Sequence, residues 1–201
     1  MRNVRWLFFD IGSTLVDETE AIAHRVRETI DGTDVRFAEF EAKMRQFAMQ
    51  GSSGYAEAAA CFRLAKTPWH SEDERPYGDC ASTLRELKAR GYSLGVIANQ
   101  LPGAEARLQA WGLLPFFSVI AASAERGFAK PAPELFRWAL DRADCAPQDA
   151  VMIGDRLDND ILPAKQLGMK TVWIRHGPAA PSESSADVIV SSLSGLLNLF
   201  Q

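Results

Sequence analysis

A doubly wound, mostly parallel α/β sheet with a small helical insertion is the fold this chain predicts, on two observations. Short, nearly continuous apolar runs, as expected of strands buried on both faces, recur at residues 4–9, 93–98, 117–121, 150–153 and 170–174. Between the later runs lie helical patterns with short connections, whereas residues 18–66 are helical throughout. Strict alternation with short connections argues for a parallel sheet covered on both sides, and the unbroken helical block for an insertion.

The first run, with Val4, Trp6, Leu7, Phe8 and Phe9, ends abruptly at Asp10 and passes through Ile11, Gly12, Ser13 and Thr14 before Leu15 and Val16 restore apolar character. A carboxylate at the carboxyl end of a buried parallel strand sits where open α/β sheets bind their ligands; the plainer reading is a strand cap and a loop. The insertion follows: Ile22, Val26 and Ile30 recur every four residues, and Phe37, Phe40, Met44 and Phe47 repeat at helix spacing, a stripe that reads as core. Asp31-Gly32 and Gly51-Ser52-Ser53-Gly54 break this block into two or three helices, and residues 67–78 form the return linker. The expected organisation is a core domain of residues 1–16 and 77–201 and a helical domain of residues 17–76.

Asp79 is expected to cap a helix reaching Arg90, with Leu84 and Leu87 inward and Gly91 as terminator. The strand at 93–98 stops at Asn99-Gln100, and a helix over 103–111 leads to the strand at 117–121. A loop then runs to Lys130-Pro131, and Pro133 suits the first turn of a helix that turns Leu135, Phe136, Ala139 and Leu140 to one side. The strand at 150–153 is ended by Gly154-Asp155, followed by a helix to Leu167 and the strand at 170–174. An edge strand at 187–190 and a closing helix near 193–200 complete the chain.

Composition excludes several functions. A net charge of −4 gives no electrostatic case for nucleic acid or an anionic membrane surface. The three cysteines, Cys61, Cys80 and Cys145, form no paired motif and read as reduced thiols. No apolar run approaches the ~18 residues of a membrane span, and the amino-terminal run lacks a signal-peptide cleavage site. The expected setting is the cytoplasm.

In a parallel sheet the strand ends lie along one edge, so Asp10, Asn99 and Gly154-Asp155, with Asp158 and Asp160 just behind, converge with Lys130 from a loop. Carboxylates brought together repel; a hard cation such as Mg²⁺ relieves the repulsion and grips a phosphate. A lysine offsets charge on a nucleophile and on a transferring phosphoryl group. The set suits phosphoryl transfer through an aspartyl intermediate.

FFDIGSTL, VIAN, AKPAPELF and MIGDRLDND resemble, in order and spacing, the four motifs of the haloacid dehalogenase-like (HAD) hydrolase superfamily. The resemblance implies a Rossmann-like core with a small α-helical cap that closes over substrate. It implies Asp10 as nucleophile and Lys130 as charge-balancing lysine. Mg²⁺ would be held by Asp10, the main-chain carbonyl of Gly12 and Asp155, with Asp160 supporting. Phosphate would fall to the loop of Ser13 and to Asn99, and the substrate would be a small phosphorylated metabolite. Asp158 reads instead as a complement to the dipole of the following helix. His24 reads as solvent-facing, with a proton shuttle as the alternative; Asp17 and Glu18 are comparable outsiders. His70 and His176 lie in polar segments and suggest no role, and Trp69 and Trp111 read as packing residues.

Two positions depart from the family pattern. Gly12 stands where its phosphatases carry the acid/base aspartate, and Ala98 where they carry a phosphate-binding hydroxyl. Loss of proton transfer costs about 10²- to 10⁴-fold in rate. Acyl and aryl phosphates, with good leaving groups, would suffer least at the phosphorylation step. The alternatives are cleavage of a bond other than a phosphate ester, such as C–halogen or C–P, and a binding protein on a degenerate hydrolase scaffold. An ATP-binding fold of the sugar kinase and actin-like type, suggested by Asp-Ile-Gly-Ser-Thr, lacks its second glycine-rich loop and needs roughly twice this length.

Overall fold

The structure is a computed structural model that describes residues 1, 3–48, 54–175 and 185–201. In chain order its elements are β1 (Trp6–Phe9), β2 (Val16–Asp17), α1 (Thr19–Ile30), α2 (Phe37–Ala48), α3 (Tyr55–Cys61), β3 (Arg75–Pro76), α4 (Cys80–Ala89) and β4 (Ser93–Ala98). There follow α5 (Ala104–Ala110), β5 (Val119–Ala122), α6 (Ser123–Arg126), α7 (Pro133–Arg142), β6 (Ala150–Gly154), α8 (Leu162–Gln166), β7 (Lys170–Ile174) and β8 (Val188–Val190). Two compact units result, one of Met1–Val16 with Pro76–Gln201, the other of Asp17–Arg75. The chain crosses between them through β2 and β3, which pair with each other.

The larger unit is the doubly wound sheet. Six strands lie in the order β5-β4-β1-β6-β7-β8, and every neighbouring pair is parallel. Because successive side chains point to opposite faces, Leu7 and Phe9 of β1 join one apolar layer and Phe8 the other. Leu84 and Leu87 of α4, Leu108 of α5 and the carboxyl-terminal Leu196 and Phe200 cover the first layer. Leu135, Phe136, Ala139 and Leu140 of α7, with Ala164 of α8, cover the second. The chain winds from β1 outward through β4 to β5, then returns to β6 on the other side of β1 and continues to β7. That reversal opens a crevice at the carboxyl ends of β1 and β6, where doubly wound sheets bind ligands.

The smaller unit is helical, with α1, α2 and α3 among its described residues. Val26, Phe40, Tyr55, Ala58 and Ala59 form its core, with Ile22, Ile30, Phe37 and Met44 packed against them, so Phe37, Phe40 and Met44 of the α2 stripe are core as expected. The return segment is tied in by a polar cluster: Tyr55 Oη lies 2.8 Å from Thr29 Oγ1 and accepts the Thr67 main-chain N–H at 2.9 Å.

Several local expectations change. Asp79 does not cap α4 with its side chain; its Oδ2 accepts the Ser194 N–H at 2.9 Å and ties the carboxyl terminus to the core. The closing helix is only a 3₁₀ stretch at Ser194–Asn198. The helix expected after Asp155 begins as a π turn, Leu157–Ile161, before α8. Asp187 lies just outside β8, its carboxylate accepting the Thr171 N–H and hydroxyl. The return linker contains a 3₁₀ turn at Ser71–Asp73 as well as β3. The break at Gly51-Ser52-Ser53 lies outside the described residues, as does His176. Among the described residues no helix is long and apolar enough to cross a membrane.

Gly95 in the middle of β4 is dictated by packing, since a Cβ there would lie 2.6 Å from the ring of Phe8 and 3.2 Å from the Val119 carbonyl oxygen. Phe8 is fully buried and its ring stacks on Trp6 at 5.4 Å, so it has nowhere to move. Gly95→Ala is expected to cost ~1–3 kcal/mol of stability, as overpacking does. Urea unfolding of the two proteins measures it; equal midpoints would contradict the packing account.

Candidate active site

Asp10 stands one residue past β1, and its N–H donates to the Ile153 carbonyl at 2.9 Å, extending the parallel ladder into the crevice. The turn behind it is drawn around one acceptor: the Ile11 carbonyl takes the N–H groups of Thr14, Leu15 and Val16 at 3.3, 2.9 and 3.0 Å. Ser13 completes the turn with a φ of 51°, a left-handed conformation that small polar residues tolerate better than branched ones. Thr14 is fully buried, and its hydroxyl has no partner among the described residues.

Lys130 arrives from the loop between α6 and α7. Its Nζ donates to Asp10 Oδ1 at 2.7 Å and to Asp160 Oδ1 at 2.5 Å. All three side chains are nearly removed from solvent, with 9%, 5% and 1% exposure for Asp10, Lys130 and Asp160. An ammonium is held in so dry a place only when opposite charge meets it. Burial alone would lower the Lys130 pKa, but the two carboxylates outweigh it and hold the ammonium above its usual range. Burial pushes the Asp10 carboxyl up from 3.8 to about 6; Lys130 opposes the rise and Asp160 adds to it.

Asp160 reaches the crevice because the chain after β6 turns at once. The π turn carries it back, with the N–H groups of Asp160 and Ile161 both donating to the Arg156 carbonyl and the Arg156 N–H donating to Asp160 Oδ2 at 3.0 Å. Gly154 leaves room for it: a Cβ there would lie 2.3 Å from Asp160 Oδ2. Asp155 is fastened through its carbonyl, which accepts the Trp173 indole N–H at 2.7 Å. One carboxylate oxygen each from Asp10, Asp155 and Asp160 lies within 4.8 Å of the others. Oxygen donors alone, three carboxylates against one ammonium, fit a hard divalent cation such as Mg²⁺.

Asn99 is brought to the site but occupied otherwise than expected. Its Nδ2 donates to the Lys130 carbonyl at 2.9 Å and its Oδ1 accepts the Lys130 N–H at 2.7 Å. Both ends of the amide grip the main chain of Lys130, so Asn99 positions the lysine. Nothing in the sequence distinguished the two roles, which need the same amide at the same strand end. Ala98 is fully buried in the apolar layer with Phe9 and Val96. Asp158 lies outside the carboxylate cluster, in a two-point ion pair with Arg156 at 3.0 and 2.5 Å. In the helical unit His24 is not simply solvent-facing: its Nδ1 lies 2.7 Å from Asp73 Oδ2. Asp17 Oδ1 accepts the N–H and hydroxyl of Thr19 at the start of α1.

The raised Asp10 pKa has a sign that can be tested in chelated protein. The carboxyl holds its proton more tightly folded than unfolded, so its contribution to stability is full below pH 3.8 and is lost as pH rises through about 6. Relative to Asp10→Asn, which has no such carboxyl, wild-type protein is expected to lose stability across that window. Urea unfolding of both proteins over a pH series measures the difference; a flat or opposite trend would contradict the assignment.

Comparison with known proteins places the chain in a family. Residues 7–174 match the family model of the haloacid dehalogenase-like hydrolases. The chain is 40% identical over 128 residues to a glyceraldehyde 3-phosphate phosphatase of Methanocaldococcus jannaschii, a match covering 62% of this chain and 56% of that protein. It is 28% identical to the Pyrococcus furiosus enzyme of the same name, over 100% of this chain and 95% of the other. A phosphatase crystal structure from Thermococcus onnurineus shares the fold, with a TM-score of 0.72 and 24% identity over 98% of this chain and 97% of that one. With a match that runs from β1 to the last residue of β7, the chain belongs to the haloacid dehalogenase-like hydrolase family.

Proposed function

We propose that this chain is a Mg²⁺-dependent phosphatase of small phosphorylated metabolites that works through an aspartyl phosphate on Asp10. The observation that carries the reading is the buried contact of Lys130 with Asp10 and Asp160 beside Asp155. Two relatives named glyceraldehyde 3-phosphate phosphatase support the substrate class.

In this reading Lys130 anchors Asp10 Oδ1 and leaves Oδ2 to attack phosphorus. The bond from phosphorus to the leaving oxygen breaks, and that oxygen takes its proton from water, because Gly12 carries no acid. Water then attacks the same phosphorus, gives its proton to solvent, and the bond to Asp10 breaks. Lys130 also offsets charge on the phosphoryl oxygens, and the turn containing Ser13 offers main-chain N–H groups to them. The carboxylates of Asp10 and Asp155 with the Gly12 carbonyl would hold Mg²⁺, with Asp160 behind them. When bound, the ion neutralises phosphate charge.

A second reading, a binding protein on the same scaffold, is favoured by one pair of positions. Gly12 supplies no proton relay, and the buried methyl of Ala98 supplies no hydroxyl to phosphate. Incubation with Mg²⁺ and acetyl phosphate or p-nitrophenyl phosphate separates the two. Turnover is expected for the wild-type protein and background rates for Asp10→Asn; silence of both across a broad phosphate panel would favour the scaffold. Gly12→Asp is expected to raise hydrolysis of an alkyl phosphate by about 10²- to 10⁴-fold, the range of general acid–base catalysis. An unchanged rate would remove the proton-transfer argument.

A further inference from the structure

The helical unit holds a second cluster of ligand-bearing side chains. His24 and Glu28 lie one turn apart on the same side of α1, and His70 comes from the return segment just before the 3₁₀ turn. The two imidazole rings stack with centroids 3.8 Å apart and planes 8° from parallel. Ligand atoms of His24, Glu28 and His70 all lie within 4.8 Å of one another. His70 Nε2 is 2.7 Å from Glu28 Oε2, and His24 Nε2 is 3.8 Å from Glu28 Oε1.

The outer nitrogens are already engaged. His24 Nδ1 lies 2.7 Å from Asp73 Oδ2 and His70 Nδ1 lies 3.1 Å from Glu72 Oε1. A carboxylate on Nδ1 keeps the proton there and turns the Nε2 lone pair toward the opposite side, as behind metal-bound histidines. Here both Nε2 atoms are turned toward Glu28. The 3.8 Å gap from His24 is too long for a hydrogen bond, yet two bonds of about 2.0–2.2 Å to an ion span it. The short His70–Glu28 contact needs a proton on Nε2 when no metal is present, and its hydrogen bonds to Glu28 and Glu72 raise the His70 pKa.

We propose that His24, Glu28 and His70 form a site for a late first-row divalent cation, Zn²⁺ above all. Two imidazoles and one carboxylate make a three-ligand zinc set with a fourth position for water. Imidazole selects such ions over Mg²⁺, so this site and the oxygen-only cluster would load differently. Binding expels the His70 Nε2 proton and tilts the rings from parallel so that the two lone pairs converge. The ion would clamp α1 to the return segment, which Arg25 already touches through its Nε bond to the Thr67 carbonyl at 3.0 Å.

Cobalt(II) added to chelated Asp155→Asn protein tests this, since that variant disables the acidic cluster. One equivalent of Co²⁺ is expected to bind with visible absorption bands that Zn²⁺ abolishes and excess Mg²⁺ leaves intact. Zn²⁺ should also raise the melting temperature. Bands and shift are expected to vanish in His24→Ala and His70→Ala made in that background. Glu72→Gln, which keeps all three ligands, should bind Co²⁺ about 10- to 100-fold more weakly, the usual effect of removing a partner behind a ligand. Absence of the bands, or equal affinity in Glu72→Gln and His24→Ala, would overturn the proposal. So would bands seen in wild-type protein and lost with Asp155.

Discussion

The structure of the larger unit turns on one buried ammonium. Lys130 Nζ lies between Asp10 and Asp160, and the three groups come from separate stretches of chain. Burying the ammonium without the carboxylates, or the carboxylates without the ammonium, would be costly. Truncating one member of such a group leaves an uncompensated buried charge, commonly at a cost of about 3–5 kcal/mol, whereas an all-apolar replacement costs little or nothing. Such a cluster is therefore a constraint on the fold before it is a source of stability. Every element around it has to deliver its group accurately or the charge is stranded.

The delivery is done mainly by backbone. Parallel pairing of β1 with β4 and β6 brings Asp10, Asn99 and Gly154 to one edge. Asn99 then fixes the lysine loop by both main-chain groups of Lys130, a two-point contact that sets the position and orientation of that peptide. On the other side the π turn folds Asp160 back over Gly154, where any side chain would collide with it. Helices that take π geometry at one turn do so frequently at functional sites, because the extra residue redirects a side chain that a regular helix would point elsewhere.

Much of this was legible in the sequence, for identifiable reasons. Strands buried on both faces need continuous apolar residues, so the residues 93–98 and 170–174 announce themselves, and both strands form with those limits. The convergence of Asp10, Lys130 and Asp160 followed from parallel topology, which sends strand ends to one edge whatever their separation in the chain. What was not legible depends on which partner wins when several suit a group equally. Asp79 looks like a helix cap, but its carboxylate accepts Ser194 N–H from the far end of the chain. Asn99 looks like a phosphate ligand because an amide at a strand end suits either an anion or a peptide. His70 sits among charged residues and gives no signal until α1 brings His24 and Glu28 beside it. Local pattern records what a residue can do; the fold decides what stands next to it.

The two departures from the family pattern fall unequally on this framework. Gly12 lies in the turn after Asp10, and no bond of the Lys130 cluster passes through a side chain there. Ala98 faces the apolar layer, away from any polar partner. The parts that are kept are the ones that burial makes expensive: three carboxylates gathered within 4.8 Å, an ammonium among them, and a glycine that exists to admit one of them. A scaffold that only presented its surface to a partner would be as stable, or more so, with apolar residues at those positions. Retention of the costly charges beside loss of a cheap acid supports the proposed reading of a site that handles a charged group, with water as the proton source.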